Sequence, residues 1–329
     1  MNPFFAQTPI KWGIIGCGNV TEVKSGPAYQ ITEGFELFGV MRRNLDKAED
    51  YAKRHKVPLY TDDAKALIHH PEIDAIYIAT PPDTHKLYGL QVAAAGKPCC
   101  IEKPMAPTYA ESLAIYNTFK GKNIPLFLAY YRRSLPRFLK IKEWLSDDLI
   151  GEVRHINWYK SRTASPLDRS GEYNWRTDAK IAPAGYFDDL ASHGLDLFIF
   201  LLGDIVKANG FATNQQSLYS AYDSVSGSWM HKNGAMGSGS WNFGANEARD
   251  KVEIFGSNGE IRFSVLDEEP IELITPEKKE SLVIPHPKHL HEFHVLNMKR
   301  HLLGKEIHPS TGESGLHTSW VMSKIIGQN

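Results

Sequence analysis

Short apolar runs alternate with amphipathic stretches along the first third of this chain. The runs at 10–16, 35–41, 75–80, 98–102 and 125–130 read as buried strands. The stretches at 45–55, 63–69, 84–95 and 109–121 carry helical patterning. Such alternation predicts a doubly wound parallel sheet. The pattern changes after about residue 150, where 152–162, 207–214, 224–231, 235–243, 251–255 and 260–265 follow one another as strands. Asn-Gly turns at Asn233-Gly234 and Asn258-Gly259 join some of them, a strong hairpin signal. These predict a large, open, mainly antiparallel sheet. Helices are expected at 136–146, 188–202, 290–303 and 315–326. The fold class is therefore α/β, with a first domain over 1–130 and an α+β domain over 131–329, the last helices able to pack back on the first.

Composition narrows the class. With 42% hydrophobic and 23% charged residues the chain is globular, and a net charge of −1 offers no footprint for nucleic acid or an anionic membrane. No apolar run reaches the ~18 residues of a membrane span, and Met1–Gln7 lacks the basic and apolar regions of a signal peptide. Only Cys17, Cys99 and Cys100 are present, with no paired spacing, so neither zinc nor a disulfide framework is expected. A cytoplasmic location follows as the expectation. His286, His289, His291 and His294 suggest a metal site, but no Cys or acid completes a ligand set, so no metal is expected.

Gly16-Cys17-Gly18-Asn19-Val20 follows the first strand and opens a helix. Glycines there permit a tight turn and let backbone N–H groups approach a pyrophosphate. Thr21 stands where the full fingerprint has a third small residue. At the end of the second strand an Asp or Glu would bind the ribose 2′-hydroxyl of NAD. Here the chain reads Met41-Arg42-Arg43-Asn44, and arginine pairs well with a 2′-phosphate. NADP(H) is therefore favoured, with NAD(H) possible; the bland alternative makes Arg42 and Arg43 a solvated turn. Thr80, Pro81, Pro82 and His85 close the third strand and are expected beside the ribose and pyrophosphate, although Asp83 or Thr84 also serves as a helix cap.

Glu102-Lys103-Pro104 follows the fourth strand at the same sheet edge. Its ammonium can polarise a substrate oxygen. Further on, Asp189 and His193 are four residues apart, hence on one helix face, with Asp196 a turn along. A carboxylate beside an imidazole orients it and raises its basicity. Trp158, Tyr159, Arg162, Tyr173, Trp175 and Arg176 lead toward that helix and offer flat faces and donors to a polyhydroxylated ligand, though Trp158 and Tyr159 equally suit sheet packing.

In order and context, Gly16-Cys17-Gly18-Asn19, Ala79-Thr80-Pro81-Pro82-Asp83-Thr84-His85, Glu102-Lys103-Pro104 and Asp189…His193…Asp196 resemble the glucose–fructose oxidoreductase / inositol dehydrogenase (Gfo/Idh/MocA) family. Ala129-Tyr130-Tyr131-Arg132-Arg133, Ile254–Gly259 and Ser310-Thr311-Gly312-Glu313 extend the likeness over nearly the whole chain. The resemblance implies a Rossmann domain, a sheet-based substrate domain, and oxidation or reduction of a sugar, cyclitol or related polyol. It casts Lys103, Asp189 and His193 as the catalytic group, with Tyr130 or Tyr131 as the alternative acid/base. Glu102 and Lys103 are expected beside the cofactor; Lys103, Tyr130, Tyr131, Asp189 and His193 are expected around the substrate, together with Arg162, Trp175 and Arg176 of the aromatic and arginine segment. One departure is Pro183-Ala184-Gly185, where the family often reads three glycines. A homodimer or homotetramer through the C-terminal sheet is expected. Two other readings stay open: a non-catalytic sensor of the same fold, and an eliminating or hydrolytic enzyme that uses NAD transiently.

Overall fold

The computed structural model, described for residues 2–328, turns the first set of apolar runs into β1 (Ile10–Ile15), β2 (Phe35–Met41), β3 (Leu59–Thr61), β4 (Ala75–Ile78), β5 (Cys99–Ile101) and β6 (Leu126–Leu128). All pair in parallel, in the order β3-β2-β1-β4-β5-β6. β3 escapes the hydrophobic pattern because it lies at the sheet edge, with Leu59 and Thr61 half-covered and Tyr60 exposed. Strand order reverses between β1 and β4, and such a switch point opens a ligand crevice at the carboxyl ends of the strands.

Successive residues of a strand face opposite sides. Ile14 joins one buried layer with Trp12, Tyr29 and Phe35, while Ile15 joins the other with Leu67, Ile76 and Ile78. The Glu292–Leu302 helix adds Val295, Met298 and Leu302 to the first layer. Ser310 Oγ then donates to Leu128 O at 2.8 Å, and Thr311 bridges Phe127. The first compact unit accordingly runs to Leu135 and takes in Pro287–Leu316, while Pro136–His286 and the chain from His317 onward form the second. This differs from one cut between 130 and 131, since a composition shift marks where a domain is left but not where the chain returns to it.

In the second unit, β7 (Val153–Ser161), β8 (Ile205–Thr213), β9 (Ser224–His231), β10 (Met236–Asn242), β11 (Arg249–Gly256), β12 (Glu260–Phe263), β13 (Ile271–Ile274) and β14 (Lys279–Leu282) form one sheet, ordered β14-β13-β12-β11-β7-β10-β9-β8. Every pairing is antiparallel except β7 with β10. The apolar Ser192–Leu202 helix packs on the sheet through Phe198, whose ring stands edge-on to Trp158 at 5.5 Å and stacks with Trp229 at 6.0 Å. Side chains of alternate polarity form a hydrogen-bonded ladder: Ser226 Oγ lies 3.1 Å from Ser240 Oγ, Ser228 donates to Asn209 Oδ1 at 2.8 Å, and Ser238 donates to Asn157 Oδ1 at 2.7 Å. Among the described residues no helix is long and apolar enough to cross a membrane.

Candidate active site

The glycine loop is built by a close approach. Gly16 ends β1 at φ +93°, and a Cβ there would stand 2.9 Å from Thr80 N and 2.7 Å from Thr80 Cγ2. Only glycine lets this turn lie against the end of β4. Gly16 N and Cys17 N both donate to Met41 O, at 2.8 and 3.2 Å, which pins the loop to the end of β2. At Gly18 the nearest atom to a Cβ would be Gly16 O, 3.9 Å away, so the space over this backbone is open. Asn19 is exposed and Val20 half-buried at the start of the Asn19–Val23 helix. Thr21 is buried, its hydroxyl donating to Gly18 O at 2.8 Å, so a threonine serves where a small residue was expected. The Cys17 side chain is buried away from this opening, and burial pushes its thiol up to about 11. Its carbonyl instead accepts Arg42 Nη1 at 3.2 Å, which brings a guanidinium to the loop. Arg43 is exposed beside it.

The ends of β4 and β5 are stapled by His85. Its Nε2 lies 2.8 Å from Thr80 O, and its Nδ1 lies 3.1 Å from Pro104 O and 3.3 Å from Met105 O. The ring is fully buried, and burial lowers its pKa. His85 is thus held inward by backbone carbonyls, contrary to the expected cofactor contact. Thr80 and Pro81 stay half-exposed at the strand end, and Pro82 turns inward at the start of the Pro82–Thr84 turn.

Glu102 is turned inward too. Its Oε1 accepts the Tyr77 hydroxyl at 2.5 Å, and its Oε2 accepts the Lys103 N–H at 3.2 Å. His291 Nε2 stands 3.8 Å from the same carboxylate. The Glu102 side chain therefore anchors the loop rather than facing a cofactor, and Lys103, half-exposed, follows at the strand end before a cis Pro104. Tyr131 packs on His291 with ring centroids 4.7 Å apart, and the Arg132 guanidinium lies over Tyr131 at 4.9 Å. Burial, with Lys24, Arg132 and Lys103 nearby, pushes His291 down to about 3, so the ring is neutral. Tyr130 is wholly buried in the core beside Leu128.

In the second unit, Asn174 caps the Trp175–Thr177 turn through Arg176 N at 3.2 Å. Arg176 lies over the Trp175 ring at 4.3 Å and donates through Nε to Asp189 Oδ2 at 2.7 Å. The helix expected from 188 begins as a π-helical turn, Phe187–Ala191, before the regular Ser192–Leu202 helix. Inserted π turns are rare and occur often at functional sites. Asp189 sits in that turn, and His193, 6% exposed, is the second residue of the helix. Asp188 is buried, and its Oδ2 accepts Ala184 N at 2.8 Å.

Asp196 is fully buried and accepts the Thr318 hydroxyl at 3.1 Å, a structural bond. Arg162 donates to Asp168 Oδ2 at 2.5 Å and lies over the Tyr186 ring at 3.9 Å, while the Tyr186 hydroxyl donates to the other Asp168 oxygen. Arg162 therefore has an internal partner that sequence reading missed. Asp168 could have been suspected from Ser165-Pro166-Leu167-Asp168, a capping-box spacing that the structure forms. Trp158 is sheet packing, its indole N–H donating to Asp250 Oδ1 at 2.8 Å, whereas the Tyr159 and Tyr173 rings are exposed. His289 Nδ1 lies 2.6 Å from Val23 O, and His294 packs on His308 at 4.6 Å and on His291 at 5.8 Å.

Two family descriptions cover most of the chain. Residues 10–130 match the oxidoreductase family with an NAD-binding Rossmann fold, and residues 138–262 match the Gfo/Idh/MocA C-terminal domain. Oxidoreductase P35 of Formosa agariphila is 38% identical over 328 residues, 98% of this chain and 99% of that protein. Levoglucosan dehydrogenase of Pseudarthrobacter phenanthrenivorans is 30% identical over 52% of this chain and 43% of its own length. A solved levoglucosan dehydrogenase in complex with NADH and L-sorbose superposes with a TM-score of 0.86 at 22% identity, covering 98% of this chain and 97% of that one, which shows a shared fold. Strand order, glycine loop and both matched domains agree: the chain is an oxidoreductase with an NAD-binding Rossmann domain and belongs to the Gfo/Idh/MocA family.

Proposed function

We propose that the protein moves a hydride between a carbinol or carbonyl carbon of a sugar, cyclitol or related polyol and a nicotinamide dinucleotide, with NADP(H) preferred. The observation that carries this reading is Asp189, held by Arg176 in a π-helical turn four residues before His193. His193 takes the proton of the reacting hydroxyl as its carbon loses hydride, and returns it in reduction. Asp189 orients His193. The Lys103 ammonium donates a hydrogen bond to the substrate oxygen, stabilising the negative charge that develops there. Tyr131 is the alternative acid/base. A nicotinamide dinucleotide held by the Gly16–Gly18 loop and Arg42 would supply the hydride acceptor or donor. Trp175 and Arg176 supply a flat face and a donor for a ring of hydroxyls.

The residues of the first unit fit a dinucleotide. The backbone at Gly18 is uncovered, so a phosphate can approach it, and Arg42 stands at the same loop without a neighbouring acid at the end of β2. A 2′-phosphate beside Arg42 and Arg43 favours NADP(H). The NADH complex of levoglucosan dehydrogenase points the other way for that relative, and its name favours a sugar as substrate.

The test is a panel of levoglucosan, L-sorbose, D-glucose and myo-inositol with both cofactors, followed at the reduced-nicotinamide band. Lys103→Met and His193→Ala should each lower kcat by about 10²-fold or more on the sugar turned over. Near-wild-type turnover in both would overturn the assignment. Titration should show NADPH binding tighter than NADH, with Arg42→Ala weakening NADPH by about tenfold, the loss of one charged hydrogen bond; tighter NADH refutes the preference. A homodimer or homotetramer through the second unit's sheet is part of the proposal, and a monomer in light scattering contradicts it.

A further inference from the structure

The segment before the His193 helix is a run of tight turns. Gly185 N donates to Ala182 O at 2.9 Å, Phe187 N to Ala184 O at 3.1 Å, and Asp188 N to Gly185 O at 3.1 Å. Pro183 has no N–H to give. Gly185 has φ +62°, and a Cβ there would stand 2.7 Å from Tyr222 O, so the loop is pressed against its neighbour. Tyr222 N donates to Pro183 O at 3.2 Å on the same side. Ala184 is fully buried, and its N–H needs a partner within the protein. That partner is Asp188 Oδ2, at 2.8 Å, on the first turn of the π-helical segment.

A carboxylate is a costly way to satisfy one buried N–H, because burial disfavours its charge. Burial pushes the Asp188 carboxyl up to about 7, against the Ala184 bond, with Asp189 adding to the rise. An apolar side chain would avoid that penalty but would leave the Ala184 N–H without its acceptor. What the carboxylate adds is a fixed geometry: it links the loop to the turn that presents Asp189, one residue on, and leads into His193.

We propose that Asp188 is a positioning residue that clips the Pro183-Ala184-Gly185 loop to the Phe187–Ala191 turn and so sets how Asp189 meets Arg176 and how the His193 helix begins. This rests on the reading of Asp189 and His193 as the catalytic pair. Asp188 touches no reacting atom. It acts on the hydrogen-bond ladder, because the π turn replaces the four-residue spacing of the helix with a wider one at the position where Asp189 must reach Arg176.

The experiment compares Asp188→Ala, Asp188→Asn, His193→Ala and the double variant Asp188→Ala/His193→Ala in the full-length protein. Hydrogen–deuterium exchange over 182–191 needs no substrate. Exchange there should quicken by about tenfold in Asp188→Ala and stay near wild type in Asp188→Asn, whose amide oxygen still accepts the Ala184 N–H. With levoglucosan and both cofactors, Asp188→Ala should lower kcat by about 10²-fold, the effect of an ångström-scale misplacement, while NADPH binding holds within about twofold. Asp188→Asn should restore most of kcat, and the double variant should be no slower than His193→Ala alone, since both act on one unit. Unchanged exchange in Asp188→Ala overturns the clip. So does an Asp188→Asn loss equal to that of Asp188→Ala, or a multiplicative double variant. If His193→Ala keeps its turnover while exchange quickens as described, the catalytic reading fails and the clip stands.

Discussion

Gly194 follows His193 in a helix, where alanine normally stabilises by about 1 kcal/mol. Gly194→Ala should do the reverse. A Cβ built there stands 2.2 Å from Trp158 Cζ3, 2.5 Å from Cη2 and 2.8 Å from Cε3, where ordinary contact begins at 3.4 Å. The first of these is 1.2 Å too close, so helix or indole must move. Trp158 has little room to yield. It is buried, its N–H is held by Asp250 at 2.8 Å, and Phe198 and Trp241 stand edge-on at 5.5 Å each. Overpacking of this kind costs ~1–3 kcal/mol, which exceeds the propensity gain. A net loss of ~1–2 kcal/mol lowers Tm by about 2–4 °C per kcal/mol in a protein of this size class. The helix carries His193, so its displacement should also cost at least about tenfold in kcat. Thermal unfolding followed by circular dichroism gives the first number and steady-state turnover the second. Gly121→Ala is the control: nothing lies within 4 Å of its Cβ at the end of the Tyr109–Gly121 helix, and it should match or slightly exceed wild-type stability. A Gly194→Ala protein that melts at or above wild type with full turnover would refute the reasoning.

Glu22 pairs with Arg54 and His55 at 2.8 Å, and Arg54 chiefly holds its carboxyl down to about 2. A depressed carboxyl stabilises above its unfolded value of ~4.3 and loses that contribution as pH falls toward 2, so Glu22→Gln should cost ~1 kcal/mol at neutral pH and nothing near pH 2 in urea unfolding. Burial pushes His291 and His308 down to about 3, so the unfolded chain binds protons that the native one refuses. Stability from these rings is whole above ~6.5 and falls by up to ~1.4 kcal/mol per pH unit for each as pH drops toward 3; an unfolding midpoint flat from pH 7 to 5 would contradict it. Thr318→Val removes the hydroxyl given to Asp196 and should lower Tm by the equivalent of ~1–3 kcal/mol while kcat at low temperature stays within about threefold.

What could be read in advance follows from how local each signal is. The strands of the first sheet show as apolar runs because both faces are covered, and Gly16 is marked by the turn after β1. β13 and β14 went unread, since four-residue strands with alternating exposure at one side of a sheet leave a faint period. Spacing alone brought out Asp189 and His193, but a π turn depends on which backbone bonds form, so its place was invisible. Asp188 was hidden beside Asp189 for the same reason: its meaning lies in Ala184, four residues back in a loop. His85 and Glu102 sit within their motifs as expected, yet point inward, because the direction of a side chain at a strand end is decided by partners such as Thr80 O and Tyr77 that sequence distance does not reveal.

The first unit is completed late in synthesis. Its buried layer around Trp12 and Tyr29 includes Val295, Met298 and Leu302, and the last strand β6 is bonded to Ser310 and Thr311. All of these leave the ribosome after the whole second sheet. A nascent chain ending near residue 280 would therefore carry six strands whose inner layer lacks a wall, with Leu128 O waiting for Ser310. The second sheet has no such debt to later residues for most of its pairings, since β7 to β14 are contiguous in sequence. An N-terminal fragment cut at the junction, left without Val295, Met298, Leu302 and Ser310, should therefore be prone to aggregation.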